Sequence, residues 1–223
     1  MPKPTFHNLR PEKRQRIIAA AIAEFSAQPY ARATLDRIVE AAGISKGSMY
    51  QYFAGKADLY RWLLTEHMAS RKMAAIQASA PPAGADIWTV LEQSFLAGVR
   101  FAATEPLLTR LGVRFLRDHE LEPELAAVSA KNAAASDAWL TALLHAAIQR
   151  GEIRSDLDVP VVVGILTHAL GEGMLDQLAR KLGISLAALL EAPDRVQQLS
   201  DEQLVQLVRS VTSLFRDGVG VTA

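Results

Sequence analysis

Apolar residues recur every three or four positions along most of the chain, the spacing of helices with one buried face. Ile18, Ala21, Ile22 and Phe25 predict a helix opening at Pro11, since proline suits a first helical position where the amide would be unpaired anyway. Leu35, Ile38, Val39 and Ala42 predict a second helix, and Met49 and Phe53 form the inward face of a short third. A longer pattern runs over 56–78 through Leu59, Trp62, Leu63, Met68, Met73 and Ile76. After 79–85 (SAPPAGA), a boundary marked by two prolines and a glycine, helical spacing resumes over 86–104, 105–117, 123–150, 159–182 and 201–216. No strand pattern stands out, so an all-α fold is expected.

Local signals sharpen several ends. Thr34 is the expected N-cap of the second helix, with Asp36 favourably placed near the positive end of its dipole. Gly43 suits the left-handed residue that commonly ends a helix. Ser45 then caps the third helix, with Ile44 before it as a staple. Asp158 is expected to cap the helix from 159, with Pro160 in its first turn, and Ser200-Asp201-Glu202-Gln203 matches a capping box. Residues 1–9 are expected to be mobile, leaving Lys3 and Arg10 free to reach a polyanion.

Two short helices around a tight turn, TLDRIVEAAGISKGSMYQYF over 34–53, make a helix-turn-helix. Its second helix turns Lys46, Gly47, Ser48, Tyr50, Gln51 and Tyr52 outward: a cation, two phenols, an amide, a hydroxyl, and a glycine that lets backbone come close to DNA. Acidic residues are absent from that set. Hydroxyls, amides and lysines hold phosphates, while the start of such a helix enters the major groove. Gln51 is a candidate for reading a base edge and Lys56 for a further phosphate. The alternative is an ordinary helical hairpin with a solvated face.

Formal net charge is zero, but its distribution is uneven: residues 1–75 hold 12 Lys or Arg against 6 Asp or Glu, and the remainder 12 against 18. An electropositive head on an electronegative body orients the molecule toward a polyanion. The 223 residues, half of them hydrophobic, suffice for one small and one medium domain. With no cysteine, disulfides and thiol chemistry are ruled out, which fits a cytoplasmic location. The N-terminal sequence lacks an apolar signal core, and no uncharged apolar stretch is long enough to cross a bilayer, so no membrane association is expected.

Together with residues 11–25, the string Tyr50-Gln51-Tyr52-Phe53 followed by Gly55-Lys56 and Asp58-Leu59 resembles the DNA-binding domain of the tetracycline-repressor (TetR) family. The likeness covers about the first 60 residues. It implies a three-helix N-terminal reader (1–55), a connecting helix (56–78) and a larger helical body for ligand binding and dimerisation (79–223). By this resemblance Thr34, Ser45, Lys46, Gly47, Ser48, Tyr50, Tyr52 and Lys56 occupy DNA-contacting positions. Gly55 stands where the family often has a serine or asparagine cap, a change expected to cost a few tenths of a kcal/mol. The family plan is a homodimer on a double-stranded, pseudo-palindromic operator, released by a small molecule.

Trp88, Phe95, Phe101, Phe115 and Trp139 lie on helices that surround the ligand cavity in that family, and would suit an apolar or aromatic effector. Taken singly each is better read as core, since large aromatics usually fill interiors; as a set they suggest an apolar pocket. His119, His145 and His168 are polar candidates in the same half. His119 beside Glu120, Glu122 and Glu124 does not make a metal site, because those acids do not share a helical face and Pro123 interrupts them. No metal or other cofactor is expected. Gly164, His168, Gly171 and Leu175 place small residues on one face, and Leu204, Val208, Val211 and Phe215 repeat at similar spacing on the last helix; by the resemblance these two helices form the dimer interface. Two other classes compete with a ligand-responsive repressor. An enzyme is disfavoured, because no phosphate-cradling loop, nucleophile elbow or paired acid and base is evident. A constitutive DNA-binding scaffold would differ by failing to respond to ligand.

Overall fold

In a computed structural model of the chain, residues 1–118 and 123–219 are described. Every regular element among them is helical, in chain order α1 (Pro4–His7), α2 (Pro11–Ala27), α3 (Leu35–Ala42), α4 (Lys46–Tyr52), α5 (Lys56–Trp62), α6 (Met68–Ala78), α7 (Ile87–Thr104), α8 (Pro106–Asp118), α9 (Pro123–Gln149), α10 (Val159–His168), α11 (Met174–Lys181), α12 (Leu186–Glu191) and α13 (Asp201–Val219). A π-helical turn, Leu63–His67, joins α5 to α6. The expected long helix over 56–78 is therefore continuous but locally underwound. The chain divides into two compact units, Met1–Arg71 with Leu107–Ala130, and Lys72–Pro106 with Lys131–Ala223.

In the first unit α2, α3 and α4 bury the stripes expected from their spacing: Ile18, Ala21 and Phe25, then Ile38, Val39 and Ala42, then Met49 and Phe53. Glu24 of α2 ties α2 to the start of α3, accepting from the Thr34 N–H at 3.0 Å and from the Arg37 guanidinium at 3.0 Å. Contrary to the expectation of mobility, residues 1–9 are docked. Phe6 is 1% exposed, with its ring centroid 4.8 Å from that of Phe53 and 5.1 Å from that of Trp62. A large aromatic ring held out of water outweighs the ordering cost of so short a segment.

Helix α8 also belongs to this unit, although it follows α7 in sequence. Its C-terminal part grips the end of α2 and the segment that follows it. Arg114 donates to the carbonyls of Ser26 at 2.6 Å and Ala27 at 3.1 Å, and Asp118 accepts from the Tyr30 N–H at 2.8 Å.

The second unit has a core of Leu91, Phe95, Leu96, Leu140, Leu144, Val163, Leu166, Leu178, Leu204 and Val208 from α7, α9, α10, α11 and α13. The stretch expected as one helix over 159–182 is broken. A π-helical segment, Ala169–Gly173, intervenes, with Gly171 at φ −93°, ψ −113°, and the flanking helices diverge by 41°. The run Gly164, His168, Gly171, Leu175 is consequently not one straight stripe. No single helix among the described residues is long and apolar enough to cross a membrane.

Candidate nucleic-acid interface

Helix α4 is built by caps at both ends of the turn before it. The Thr34 hydroxyl accepts from the Arg37 N–H at 3.3 Å, opening α3. Gly43 adopts φ 63°, ψ 43°, a left-handed conformation in which a Cβ would be strained, and lets the chain reverse. Ser45 then accepts from the Ser48 N–H at 3.1 Å, and its Oγ lies 2.9 Å from Ser48 Oγ. A side-chain oxygen that accepts from an amide keeps its own O–H, so Thr34 and the Ser45–Ser48 pair retain donors for a phosphate.

The outward face of α4 carries Lys46, Gly47, Tyr50 and Gln51, all exposed, with Ser48 half-buried beside them. Tyr52 departs from expectation. It is 5% exposed, its ring tilts against Phe6, and the Lys13 ammonium lies 5.8 Å from its centroid. One α4 face was expected to be outward from Lys46 to Tyr52; the docked N-terminal segment covers its last residue.

No acid lies on α4 itself, but one from the preceding helix borders this face. Asp36 of α3 lies beside α4 in space, and its carboxylate contacts the Lys46 ammonium at 2.6 Å, raising the lysine's pKa through that hydrogen bond first and charge attraction second. Lys46 thus stays cationic, with a solvent-exposed and weak local partner. Lys56 is engaged as well: its ammonium donates to the Tyr30 carbonyl at 2.8 Å and sits 4.2 Å from that ring's centroid. Gly55 supplies no side-chain cap to α5; the Asp58 carboxylate instead accepts from the Ala54 N–H at 3.0 Å, with Arg61 3.0 Å from its other oxygen.

Residues 17–62, spanning most of α2 through α5, match the family model described as bacterial regulatory proteins, tetR family. The chain is 29% identical over 209 residues to the HTH-type transcriptional regulator SrpR of Pseudomonas putida, covering 88% of this chain and 93% of that one. The "Probable acrEF/envCD operon repressor" of Escherichia coli K12 is 24% identical over 208 residues, 90% and 93% of the two chains. A crystal structure of a TetR family transcriptional regulator from Chloroflexus aurantiacus superposes with a TM-score of 0.75 at 27% identity, over the whole of both chains. Residues 17–62 are a TetR-family DNA-binding domain, and the chain resembles TetR-family regulators over its whole length. It is a DNA-binding transcriptional regulator, and the all-helical plan with an N-terminal helix-turn-helix is that of its TetR-family neighbours.

In this chain the expected ligand-binding residues are dispersed. Phe95 is 2% exposed and fills the core of the second unit, with Trp88 packed at its edge. Phe101 is buried, whereas Phe115, also buried, lies in the first unit. Trp139, His145 and His168 are exposed, and His119 lies outside the described residues. An open groove of about 620 Å³ on the second unit is lined by polar groups, among them Glu92, Gln206, Arg209 and Arg216, and by none of those candidates.

The expected interface residues divide similarly. Leu204 and Val208 face inward and belong to the core; Leu175, Val211 and Phe215 are half-buried against it. Gly164 and Gly171 are exposed. The apolar side chains that α10 and α13 do leave in solvent are Val161, Ile165 and Leu214, the last 75% exposed. Val161 and Ile165 flank Gly164 and His168 on the same exposed side of α10; sequence spacing singled out the small residues there and passed over these two, because in an almost wholly apolar helix period alone cannot say which face is outermost.

Proposed function

We propose that this regulator is a cytoplasmic homodimeric repressor that leaves a pseudo-palindromic operator when a small apolar or aromatic molecule binds its C-terminal helical body. The observation that carries the reading is the surface of α4: Lys46, Ser48, Tyr50 and Gln51 project from a helix whose other side, Met49, Tyr52 and Phe53, is locked into the core. Gly47 supports it. A Cβ there would meet only Ser45 Oγ, at 4.0 Å, so no internal contact demands glycine, although glycine weakens a helix by about 0.5–1 kcal/mol. Close approach of DNA backbone supplies the reason. In this reading Thr34, Ser45 and Ser48 hold phosphates and Gln51 reads a base edge. The name of one relative, an operon repressor, favours repression over activation.

Two such helices about 34 Å apart enter successive major grooves. The second copy docks through the outward faces of α10 and α13, with Val161, Ile165 and Leu214 as the apolar contacts and Gly164 allowing close approach. Residues 1–55 act as reader, 56–78 as connecting lever and 79–223 as body. A second route of coupling runs through α8, whose Arg114 holds the end of α2 and whose Asp118 holds the turn before α3. A ligand that binds two conformations unequally by about 3 kcal/mol changes operator affinity by about 150-fold. The test selects bound fragments from random DNA and then challenges the complex with a panel of apolar and aromatic compounds. Enrichment of a two-fold symmetric sequence and release by a compound support the reading; no preference for any duplex over bulk competitor overturns it.

A further inference from the structure

The C-terminal end of α4 is finished by residues from the start of the chain. An α-helix leaves its last four carbonyls without helical partners, and seven residues are too few to hold a helix by propensity alone. Here every one of those carbonyls is satisfied. The Phe53 N–H donates to the Met49 carbonyl at 3.0 Å, the Lys3 ammonium to the Tyr50 carbonyl at 2.8 Å, the Thr5 hydroxyl to the Gln51 carbonyl, and the Lys3 N–H to the Tyr52 carbonyl at 2.8 Å. Phe6 anchors the segment between Tyr52, Phe53 and Trp62.

We propose that residues 3–6 form a clasp that sets the orientation of α4, making Lys3, Thr5 and Phe6 positioning residues for operator recognition. This rests on α4 being the reading helix. The carbonyls held belong to Tyr50 and Gln51, whose side chains project outward, and to Tyr52 beside them. A change in the clasp therefore tilts the groups that would meet base edges. The Lys3 charge acts on the negative end of the α4 dipole, not on a phosphate. The sequence signal available was Phe6, a lone large aromatic flanked by polar residues at a terminus.

The clasp makes a prediction that separates positioning from charge. Lys3→Met keeps the alkyl stem and removes the ammonium; Thr5→Val keeps the shape and removes the hydroxyl. Both sites are exposed, so the full-length variants are expected to fold, as checked by circular dichroism. The double variant should lose about tenfold in affinity for the selected duplex, the combined effect of two hydrogen bonds. Affinity for random duplex and the slope of log K against log salt should stay unchanged, and Lys3→Arg with Thr5→Ser should restore binding. Equal loss on both duplexes with a slope smaller by about one would make Lys3 a phosphate contact and overturn the clasp. Unchanged specific affinity in the double variant also overturns it. If Gln51→Ala still alters base preference in that case, only the clasp fails; if it does not, the reading role of α4 fails too.

Discussion

The backbone of Tyr30 is held on its amide side by Asp118, whose carboxylate accepts the Tyr30 N–H at 2.8 Å. Its carbonyl is held by the Lys56 ammonium at 2.8 Å. One residue in the turn before α3 thus joins the last turn of α8 to the first turn of α5, and Arg114 adds two bonds to carbonyls at the end of α2.

If that grip transmits ligand binding, Asp118→Ala combined with Arg114→Met should leave DNA binding intact but reduce compound-induced release. The unit should lose about 2–4 kcal/mol of stability from the broken charge-assisted hydrogen bonds. Fluorescence anisotropy of a labelled operator, titrated with compound, reads the effect. Release as easy as in the parent protein would remove α8 from the route.

Lys56→Ala should lower the unfolding midpoint, since the side chain supplies both a hydrogen bond to Tyr30 and a cation over its ring, together about 1–2 kcal/mol. The salt slope of DNA binding should not change. A slope reduced by about one would return Lys56 to a phosphate-contacting role.

Asp36→Asn frees Lys46 from its carboxylate and removes a negative charge close to the α4 surface. Affinity should rise by up to about fivefold on every duplex at low salt, the scale of an exposed ion pair, and the gain should fade as salt increases. Titrations at two ionic strengths check this, and a gain confined to one sequence would mean that Asp36 acts on base preference instead.

Ile165→Glu places a charge at an exposed apolar position of α10 without disturbing the core. If the proposed interface forms, sedimentation should show dimers for the parent protein and monomers for the variant, with loss of operator affinity but a retained helical spectrum. A persistent dimer would place the interface elsewhere.

Acid stability should depend on Glu152. The Arg150 guanidinium, and after it the Ile87 N–H at 2.8 Å, hold its carboxyl below the usual carboxylate range despite the opposing effect of burial. A depressed folded pKa means the unfolded chain binds the proton more readily. The contribution is therefore present above about pH 5 and is lost as pH falls through the folded value. Glu152→Gln should flatten the fall of the unfolding midpoint between about pH 5 and 3; an unchanged acid slope would show that the carboxylate contributes nothing.

Much of the helical plan could be read from the chain because the signals close within a few residues. Thr34, Ser45, Asp86 and Asp158 each accept from an amide three positions on, and Ser200 and Gln203 exchange the reciprocal bonds of a capping box. Gly43 turns left-handed where two apolar stripes meet. These contacts depend on local backbone geometry, which neighbouring residue types largely dictate.

What required the folded molecule was the assignment of faces and long-range partners. Tyr52 was legible as outward from α4 alone but is covered by Phe6, and Lys46 looked free until α3 brought Asp36 to it. Leu204 and Val208 could serve a core or an interface equally well by spacing, and packing placed them inside. Amino-acid order specified the helices and their caps, because such bonds span three or four residues. Only tertiary structure decided which polar groups remain available to DNA, because a side chain's partner can lie dozens of residues away and burial depends on whatever packs over it.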